Sequence, residues 1–375
     1  MAQAPQDVVI VGGGTVGLAI GWRAAQAGLS VSVVDPDPTR GAWRTAAGML
    51  APITELHYTE TDLLRLNLAS LSRYPAFVAE LTEITGLETG YRESGTVEVA
   101  WDAADLATLR DLHTFGASLG LTSRMLTPSE LRSVEPALAA GLPGGLLADH
   151  DHQVDPRRLH AALGAAAQRS GVQFVTSQAE VRVDAGRAVG VEAGDFIPAG
   201  AVVVAAGAWS SQAELGVPGL PTVRPVKGQT VRLRLPAGMT LSHVVRASVK
   251  GSAVYVVPRE DGEVVVGASS EEAAFDVRPR AGAVYELLRD AQTVLPELSE
   301  AELVEVSTGL RPGSPDNAPL LGATHVDRLV LASGHYRNGI LLTPVTGDGI
   351  AQLLTTGTVS KTLAPFSPLR HGVPA

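Results

Sequence analysis

Three glycines near the start of the chain have the spacing of a site that binds phosphate groups. Gly12, Gly14 and Gly17 form the pattern G-x-G-x-x-G, between an apolar segment that predicts a strand and a segment that predicts a helix. Such a turn brings backbone N–H groups and the positive end of a helix up to a pyrophosphate. Asp35 ends the next predicted strand, where a carboxylate can accept hydrogen bonds from a ribose and would repel a 2′-phosphate. The pattern predicts a bound adenine dinucleotide, either NAD or FAD; a turn that serves packing alone is the alternative.

A second group of residues could recognise a carboxylate. Arg311 lies in GLRPG near the end of a predicted strand, and a planar guanidinium can bind a carboxylate through two parallel hydrogen bonds. Tyr255 lies in AVYVV on a predicted antiparallel strand, and its hydroxyl could donate to the same carboxylate. Arg337, in HYRNG, could hold the carboxylate too. The residues alone leave structural roles open: a loop brace, a core aromatic and a salt bridge.

The composition excludes several classes of function. The chain has 375 residues, 45% of them hydrophobic, and a net charge of −10, so we expect two globular domains and no nucleic-acid partner. It has no cysteine, which excludes disulfides, thiolate nucleophiles, cysteine-ligated metals and a cofactor tethered through sulfur, and no metal site is predicted. The start MAQAPQD lacks the features of a signal peptide, and no apolar run reaches the roughly 18 residues of a membrane span. We therefore expect a soluble, cytoplasmic protein that does not contact the membrane.

The elements that must position these residues fall into two interleaved patterns. Buried strand and glycine segments occupy 6–36, 199–210 and 328–355, and alternating antiparallel strands run between about 223 and 270. The predicted fold is α/β plus α+β: a Rossmann-like nucleotide-binding domain with an interleaved domain built on an antiparallel sheet. The predicted boundaries are 1–85, 143–217 and 303–375 for the nucleotide domain, and 86–142 and 218–302 for the second, substrate domain.

Six segments, in the same order along the chain, carry a resemblance to a known family. They read VVIVGGGTVGLAIGWRAAQAG, TAAGMLAP, VVVAAGAW, VYVVPREDGEVVVGAS, STGLRPGSPDNAPLLG and SGHYRNGILLTPVTG. The chain resembles the D-amino-acid oxidase family of flavoproteins, and within it the glycine oxidases of the thiamine pathway. The resemblance implies noncovalent FAD and oxidative deamination of glycine, small amines or D-amino acids, with oxygen as acceptor and hydrogen peroxide as product. It also implies a homo-oligomer, by analogy a tetramer, and a thiazole-synthesis partner.

The resemblance assigns roles to individual residues and makes none of them an acid or a base. Arg311, Tyr255, Arg337, Met49 and Ser270 are the implied substrate contacts, although close relatives carry a methionine where this chain has Ser270. Relatives more often have glutamate where this chain has Asp35. The implied FAD contacts are Gly12, Gly14, Thr15, Val16, Gly17, Asp35, Thr45, Ala46, Ala47, Gly48, Met49, Val181, Ala206, Gly207, Trp209, Arg311, His335, Tyr336, Arg337, Asn338, Gly339, Ile340 and Leu341.

The end of the chain predicts a helix that begins near Gly347 and is capped by Thr346. On the flavoprotein interpretation, the positive end of that helix would stabilise negative charge on a reduced flavin ring.

Other functions stay open at this point. Within the same family, the substrate could be sarcosine or a larger D-amino acid, and a flavin dehydrogenase could pass electrons to a carrier instead of oxygen. Outside it, a nicotinamide-dependent dehydrogenase and a nucleotide-binding regulatory module without catalysis are the alternatives.

Overall fold

The computed structural model describes residues 4–372, which contain seven α-helices. The helices are α1 (Thr15–Gln26), α2 (Thr61–Thr85), α3 (Ala103–Ser118), α4 (Pro128–Val134), α5 (Pro156–Arg169), α6 (Ala281–Val294) and α7 (Thr343–Thr356). The strands are β1 (Gln6–Val11), β2 (Val31–Val34), β3 (Met49–Leu50), β4 (Thr96–Ala100), β5 (Arg124–Leu126), β6 (Gly144–Ala148), β7 (His152–Gln153), β8 (Gln173–Val175), β9 (Glu180–Asp184), β10 (Arg187–Ala193), β11 (Asp195–Val204), β12 (Arg224–Arg234), β13 (Val244–Val249), β14 (Ser252–Pro258), β15 (Glu263–Gly267), β16 (Glu302–Gly313), β17 (Leu320–Ala323) and β18 (Leu329–Ser333).

The first sheet is built around β1 and has the order β17-β18-β11-β1-β2-β8. All neighbours on this path are parallel except β17, which pairs antiparallel with β18. The strands β1 and β2 are apolar and almost completely buried, as expected for parallel strands covered by helices on their faces. Helix α1 packs between α5 and α7 against this sheet. The predicted Rossmann-like fold is therefore confirmed, and the ends of β1 and β11 meet at its centre.

The second sheet has the order β16-β12-β15-β14-β13-β4-β6-β5. Its pairs are antiparallel except β13 with β4, which are parallel. Alternate residues of its strands face in opposite directions. Val245, Val254 and Val256 pack with α6 in one apolar core, whereas Arg246 and Tyr255, which are paired in register, face the other side. The expected antiparallel substrate domain thus presents one face to a core and the opposite face to a cleft.

Two strands lie outside the predicted domain boundaries. β6 and β16 fall in segments assigned from the sequence to the nucleotide domain, yet both are hydrogen-bonded in the second sheet. β6 is apolar and buried throughout, a pattern typical of parallel strands, although it pairs antiparallel with β4. The division of the chain into domains remains our proposal.

Among residues 4–372, no helix is both long enough and apolar enough to cross a membrane.

Candidate active site

A cleft of about 950 Å³ lies between the two sheets. The residues that follow the carboxyl ends of β1, β2, β11 and β18 line one side of it, and residues of β12, β13, β14 and β16 line the other. Ligands of open parallel sheets bind at the carboxyl ends of the strands, where the strand order reverses. The volume is at the upper end of the roughly 300–1,000 Å³ of cofactor and small-molecule pockets.

The glycine motif forms the part of this cleft suited to phosphate groups. At Gly17 an added Cβ would lie 2.0 Å from the Gly12 carbonyl oxygen, so this glycine lets α1 pack against the turn. At Gly14, the residue before α1, an added Cβ would meet no atom within 4 Å, and that open side borders the cleft. Within the described residues, no side chain caps α1 and no acid lies in its first turn. The helix therefore presents its N-terminal N–H groups to the cleft, which fits a pyrophosphate.

Asp35 holds the same turn from the second strand. Its two carboxylate oxygens accept hydrogen bonds from the backbone N–H of Gly13 (2.6 Å) and of Asp37 (2.8 Å). A carboxylate has about four acceptor positions, so each oxygen can still accept a ribose hydroxyl. The predicted ribose contact is compatible with this geometry, and Asp35 braces the turn in addition.

A second side chain that holds this turn was not predicted from the sequence. His160 of α5 donates from Nε2 to the Gly13 carbonyl at 2.9 Å and stacks on Trp43, with ring centroids 3.8 Å apart. Burial lowers the pKa of His160, which favours its neutral form. Trp43 in turn lines the cleft. These contacts involve a histidine in an ordinary amphipathic helix, and only the packing of α5 against the turn reveals them.

Arg311 and Tyr255, the predicted carboxylate ligands, both line the cleft. The Nη1 of Arg311 donates to the carbonyl oxygens of Ser269 (3.1 Å) and Lys227 (3.5 Å). The guanidinium lies over Gly228 of the neighbouring strand, where an added Cβ would be 2.5 Å from Nη1. Of the three guanidinium nitrogens of Arg311, only Nη1 has hydrogen-bond partners within the described part of the chain. Nε and Nη2 are therefore available to a ligand.

Tyr255 is placed in the same way. Its ring lies over Gly267 of β15, where an added Cβ would be 2.4 Å from the hydroxyl oxygen. Burial raises the pKa of Tyr255, with Arg311, Arg246 and Arg337 acting against that rise, so the hydroxyl remains a donor at neutral pH.

A partly buried ion pair at the cleft was not predicted from the sequence. Arg246 of β13 donates to Glu55 at 2.9 Å, both residues line the cleft, and the Arg246 Nη1 lies 3.6 Å from the sulfur of Met49. Asp151 fixes the segment that carries Glu55, because its carboxylate accepts from the backbone N–H of Ile53 and Thr54. A charged residue between valines in VVRASV was the available signal for Arg246; no pattern marked Glu55.

The start of α7, which follows the loop after β18, differs from the prediction. Helix α7 begins at Thr343, not near Gly347, and Thr346 lies inside it rather than at its cap. The Thr346 hydroxyl instead shares a hydrogen bond of 3.1 Å with His335 Nε2. Pro344, in the first turn of α7, explains the earlier start, since proline is favoured there. Burial lowers the pKa of His335 to about 4, so this ring is neutral at neutral pH.

Most of the other predicted contacts line the cleft, and four do not. Arg337 lines it with an exposed side chain and Ser270 lies at its edge. The further predicted residues that line it are Gly12, Thr15, Val16, Thr45, Ala46, Ala47, Gly48, Met49, Ala206, Gly207, Trp209, Tyr336, Gly339 and Ile340. The four residues outside the lining are Gly17, Val181, Asn338 and Leu341.

Val181, an implied FAD contact, has its side chain turned away from the cleft. Val181 is 2% exposed and packs in the core beneath the first sheet. The residues just before it, Ser177 to Glu180, line the cleft instead. A contact of this segment with FAD therefore remains a prediction, with Ser177 to Glu180 as the side chains that face the cleft.

The family model described as DAO, FAD dependent oxidoreductase, matches residues 7–353. The glycine oxidase of Geobacillus kaustophilus is 36% identical over 371 residues, which are 97% of this chain and 97% of that protein. The crystal structure of glycine oxidase from Geobacillus kaustophilus superposes with a TM-score of 0.91, covering 98% of this chain and 100% of that chain.

A longer relative matches over only part of its length. The bifunctional protein ThiO/ThiG of Synechocystis sp. is 37% identical over 374 residues, which are 98% of this chain but 54% of that protein. The chain thus spans about half the length of this bifunctional relative.

The glycine turn, the Asp35 carboxylate and the cleft fit FAD, and the family model covers nearly the whole described chain. The chain belongs to the DAO family of FAD-dependent oxidoreductases.

Proposed function

We propose that this chain oxidises glycine, and with it small amines or D-amino acids, to the imine, with oxygen as electron acceptor and hydrogen peroxide as product; water then hydrolyses the imine to the oxoacid and ammonia. The observation that carries the proposal is Arg311: a guanidinium fixed through Nη1, with Nε and Nη2 available in the cofactor cleft beside the Tyr255 hydroxyl. That arrangement suits the carboxylate of a small amino acid. The similarity to glycine oxidases over almost the full chain supports the same substrate class.

Family membership excludes the two alternative functions that lie outside the flavoprotein family. A nicotinamide-dependent dehydrogenase and a regulatory module without catalysis are both inconsistent with a chain of the FAD-dependent oxidoreductase family.

The residues of the chain bind and orient, and the cofactor supplies the redox chemistry. FAD, when bound, accepts the two electrons and the hydrogen that leave the substrate. Arg311 and Tyr255 would hold the carboxylate, which fixes the orientation of the Cα–H bond and the amine. His335 is neutral, buried and hydrogen-bonded to Thr346, so we assign it a packing role and no role as acid or base.

The decisive experiment is the absorption spectrum of the purified protein followed by anaerobic addition of glycine. We expect a flavin spectrum that bleaches on addition of glycine. A flavin spectrum unaffected by glycine would leave the family intact and reject glycine as substrate.

A related substrate is the second candidate, because the cleft is bordered by a small side chain. Ser270 lies at the edge of the cleft next to Ser269, and its short side chain leaves room for an N-methyl group or a larger side chain. Steady-state rates on glycine, sarcosine, D-alanine and D-proline would rank the substrates. The yield of peroxide under air separates an oxidase from a dehydrogenase.

We also propose a partner that uses the product for thiazole synthesis, because the bifunctional relative joins ThiO and ThiG in one chain. Size-exclusion chromatography with light scattering, alone and with such a thiazole synthase, tests both this partner and the predicted homo-tetramer. The cytoplasmic location stays a prediction.

A further inference from the structure

A buried lysine near the cleft is not used by the proposed reaction. The Lys227 side chain on β12 is 0% exposed, and its Nζ donates to the Arg278 carbonyl at 2.7 Å. The carboxylate of Glu271 lies 3.5 Å from the same nitrogen. A buried ammonium is unfavourable unless it is paired and hydrogen-bonded. Lys227 therefore holds specific partners, and both belong to one segment.

That segment is residues 268–280, which we call the cleft loop; it joins β15 to α6. Ala268, Ser269, Ser270 and Phe275 of this loop line the cleft. Within the loop the described structure has one turn and an isolated β-bridge that pairs the Glu271 backbone with Lys227, but no helix or strand, so contacts with its neighbours hold the rest of it in place.

Gln229 holds the cleft loop together with Lys227. Its Nε2 donates to Glu271 at 2.5 Å, and its Oε1 accepts the Arg280 backbone N–H at 2.8 Å. Lys227 and Gln229 are two positions apart on β12 and so share one face of the strand. Two adjacent side chains of a single strand thus hold both ends of the loop.

Glu271 connects these side chains to the cleft. Its carboxylate accepts from the Ser269 hydroxyl at 2.7 Å as well as from Gln229. Burial acts to raise the pKa of Glu271, but the hydrogen bonds from Ser269 and Gln229 and the charge of Lys227 outweigh it and lower the pKa. Glu271 is therefore an anion that fixes Ser269.

Ser269 in turn contacts Arg311. Its carbonyl oxygen accepts from the Arg311 Nη1 at 3.1 Å, and the Lys227 carbonyl lies 3.5 Å from the same nitrogen. Because both acceptors bind Nη1, their positions set the plane in which Nε and Nη2 face the cleft. A shift of the cleft loop would rotate that plane away from a bound carboxylate.

We propose that Lys227 and Gln229 are positioning residues: through Glu271 and the Ser269 carbonyl, they orient Arg311 for the substrate carboxylate. The proposal rests on the carboxylate-binding role of Arg311 in the proposed function. It assigns these residues to substrate affinity and not to the hydrogen-transfer step.

The test uses FAD-loaded enzyme and the variants Lys227→Met and Glu271→Gln. The matched control is Glu272→Gln, because Glu272 is the next residue, is exposed and pairs only with Arg224 among the described residues. We expect the KM for glycine and the Kd of acetate, followed through the flavin spectrum, to rise about tenfold in the first two variants, as for a weakened hydrogen bond to a charged group. We expect kcat and FAD content to stay near the parent values, and the control to match the parent throughout.

A double variant separates positioning from general damage to the fold. In the Arg311→Ala background, Lys227→Met should cause no further loss of kcat/KM, since the two residues act as one unit. An equal further loss in that background, or an unchanged acetate Kd in both single variants, would overturn the proposal. If Lys227→Met does not fold, Glu271→Gln carries the same test. Acetate binding does not require that glycine be the substrate, so failure of the proposed function is distinguishable from failure of this one.

Discussion

Two planar side chains of the candidate active site lie on glycines of neighbouring strands. The Arg311 guanidinium covers Gly228 and the Tyr255 ring covers Gly267. Any larger residue at either glycine would occupy the position of the planar group. The sheet itself therefore fixes both groups before a ligand arrives, which lowers the entropy that binding must overcome.

Replacing Arg311 should reduce catalysis without loss of the cofactor. For Arg311→Ala we expect kcat/KM for glycine to fall on the order of 10²- to 10³-fold or more, because loss of one partner of a buried charge pair costs about 3–5 kcal/mol. Arg311→Lys is the matched variant that retains the charge and loses the two-pronged geometry, and it should recover only part of the loss. Steady-state kinetics with FAD content measured in parallel check the prediction. An unchanged kcat/KM in Arg311→Ala would show that Arg311 does not bind the substrate carboxylate.

His335 should make stability depend on pH in acid. Burial lowers its pKa to about 4 from an ordinary value of 6.5, so between these values the unfolded chain binds a proton that the folded chain does not. The stability associated with neutral His335 is present above pH of about 6.5 and is lost as the pH falls towards 4. The difference in free energy of unfolding between the parent and His335→Gln should decrease over that window, measured by urea unfolding.

Asp151 also makes the free energy of unfolding depend on pH, but with the opposite sign. Burial raises its pKa to about 7, against the hydrogen bonds from Thr54 and Ile53, so its contribution is present at low pH and is lost as the pH rises through 7. This effect has the opposite sign and is present in both proteins, so it cancels in the difference. A difference that stays constant from pH 6.5 to 4 would contradict the assignment of neutral His335.

At the scale of elements, two glycines of the turn from β1 to α1 serve different roles: Gly14 leaves space for a ligand, and Gly17 allows close packing. Gly14→Ala should leave the stability of the cofactor-free protein nearly unchanged, since its Cβ would meet nothing, and should weaken FAD binding. Gly17→Ala should destabilise the cofactor-free protein, because its Cβ would overlap the Gly12 carbonyl. Thermal unfolding without cofactor and FAD titration distinguish the two effects. Equal losses of stability would show that the motif acts as a single packing unit.

The second sheet positions the substrate ligands through its alternation. Val254 and Val256 anchor β14 in the core with α6, and this forces Tyr255 to the cleft side. The same alternation places Arg246 of β13 beside it in register. The choice of face is thus made by valines that do not touch the ligand.

For the whole molecule, a cofactor bound in the cleft between the two sheets should stabilise the folded chain. Ligand that binds only the folded chain stabilises it by about 3 kcal/mol when its free concentration is roughly a hundred times Kd. We expect the unfolding temperature to rise with FAD concentration. Riboflavin, which lacks the pyrophosphate and adenosine, is the control and should raise it less. A temperature independent of FAD would mean that the cleft is not its site.

Local patterns sufficed where the chemistry is local in sequence. The turn at Gly12 to Gly17, Asp35 directly after β2 and the hairpin of β14 and β15 each lie within a few residues, so spacing and residue type predicted them. The predicted cap of α7 was wrong even at this short range. The Thr346 hydroxyl shares a hydrogen bond with His335 of the preceding loop instead of capping its own helix.

The sequence by itself determined the nucleotide motif and, through resemblance, predicted Arg311 and Tyr255 as the candidate substrate ligands that line one cleft. Only the tertiary structure decided that Arg246 meets Glu55, that His160 braces Gly13 and that Lys227 holds the cleft loop. These contacts join residues that are 51 to 191 positions apart. No local propensity encodes such pairs, because they depend on how two sheets and their helices pack.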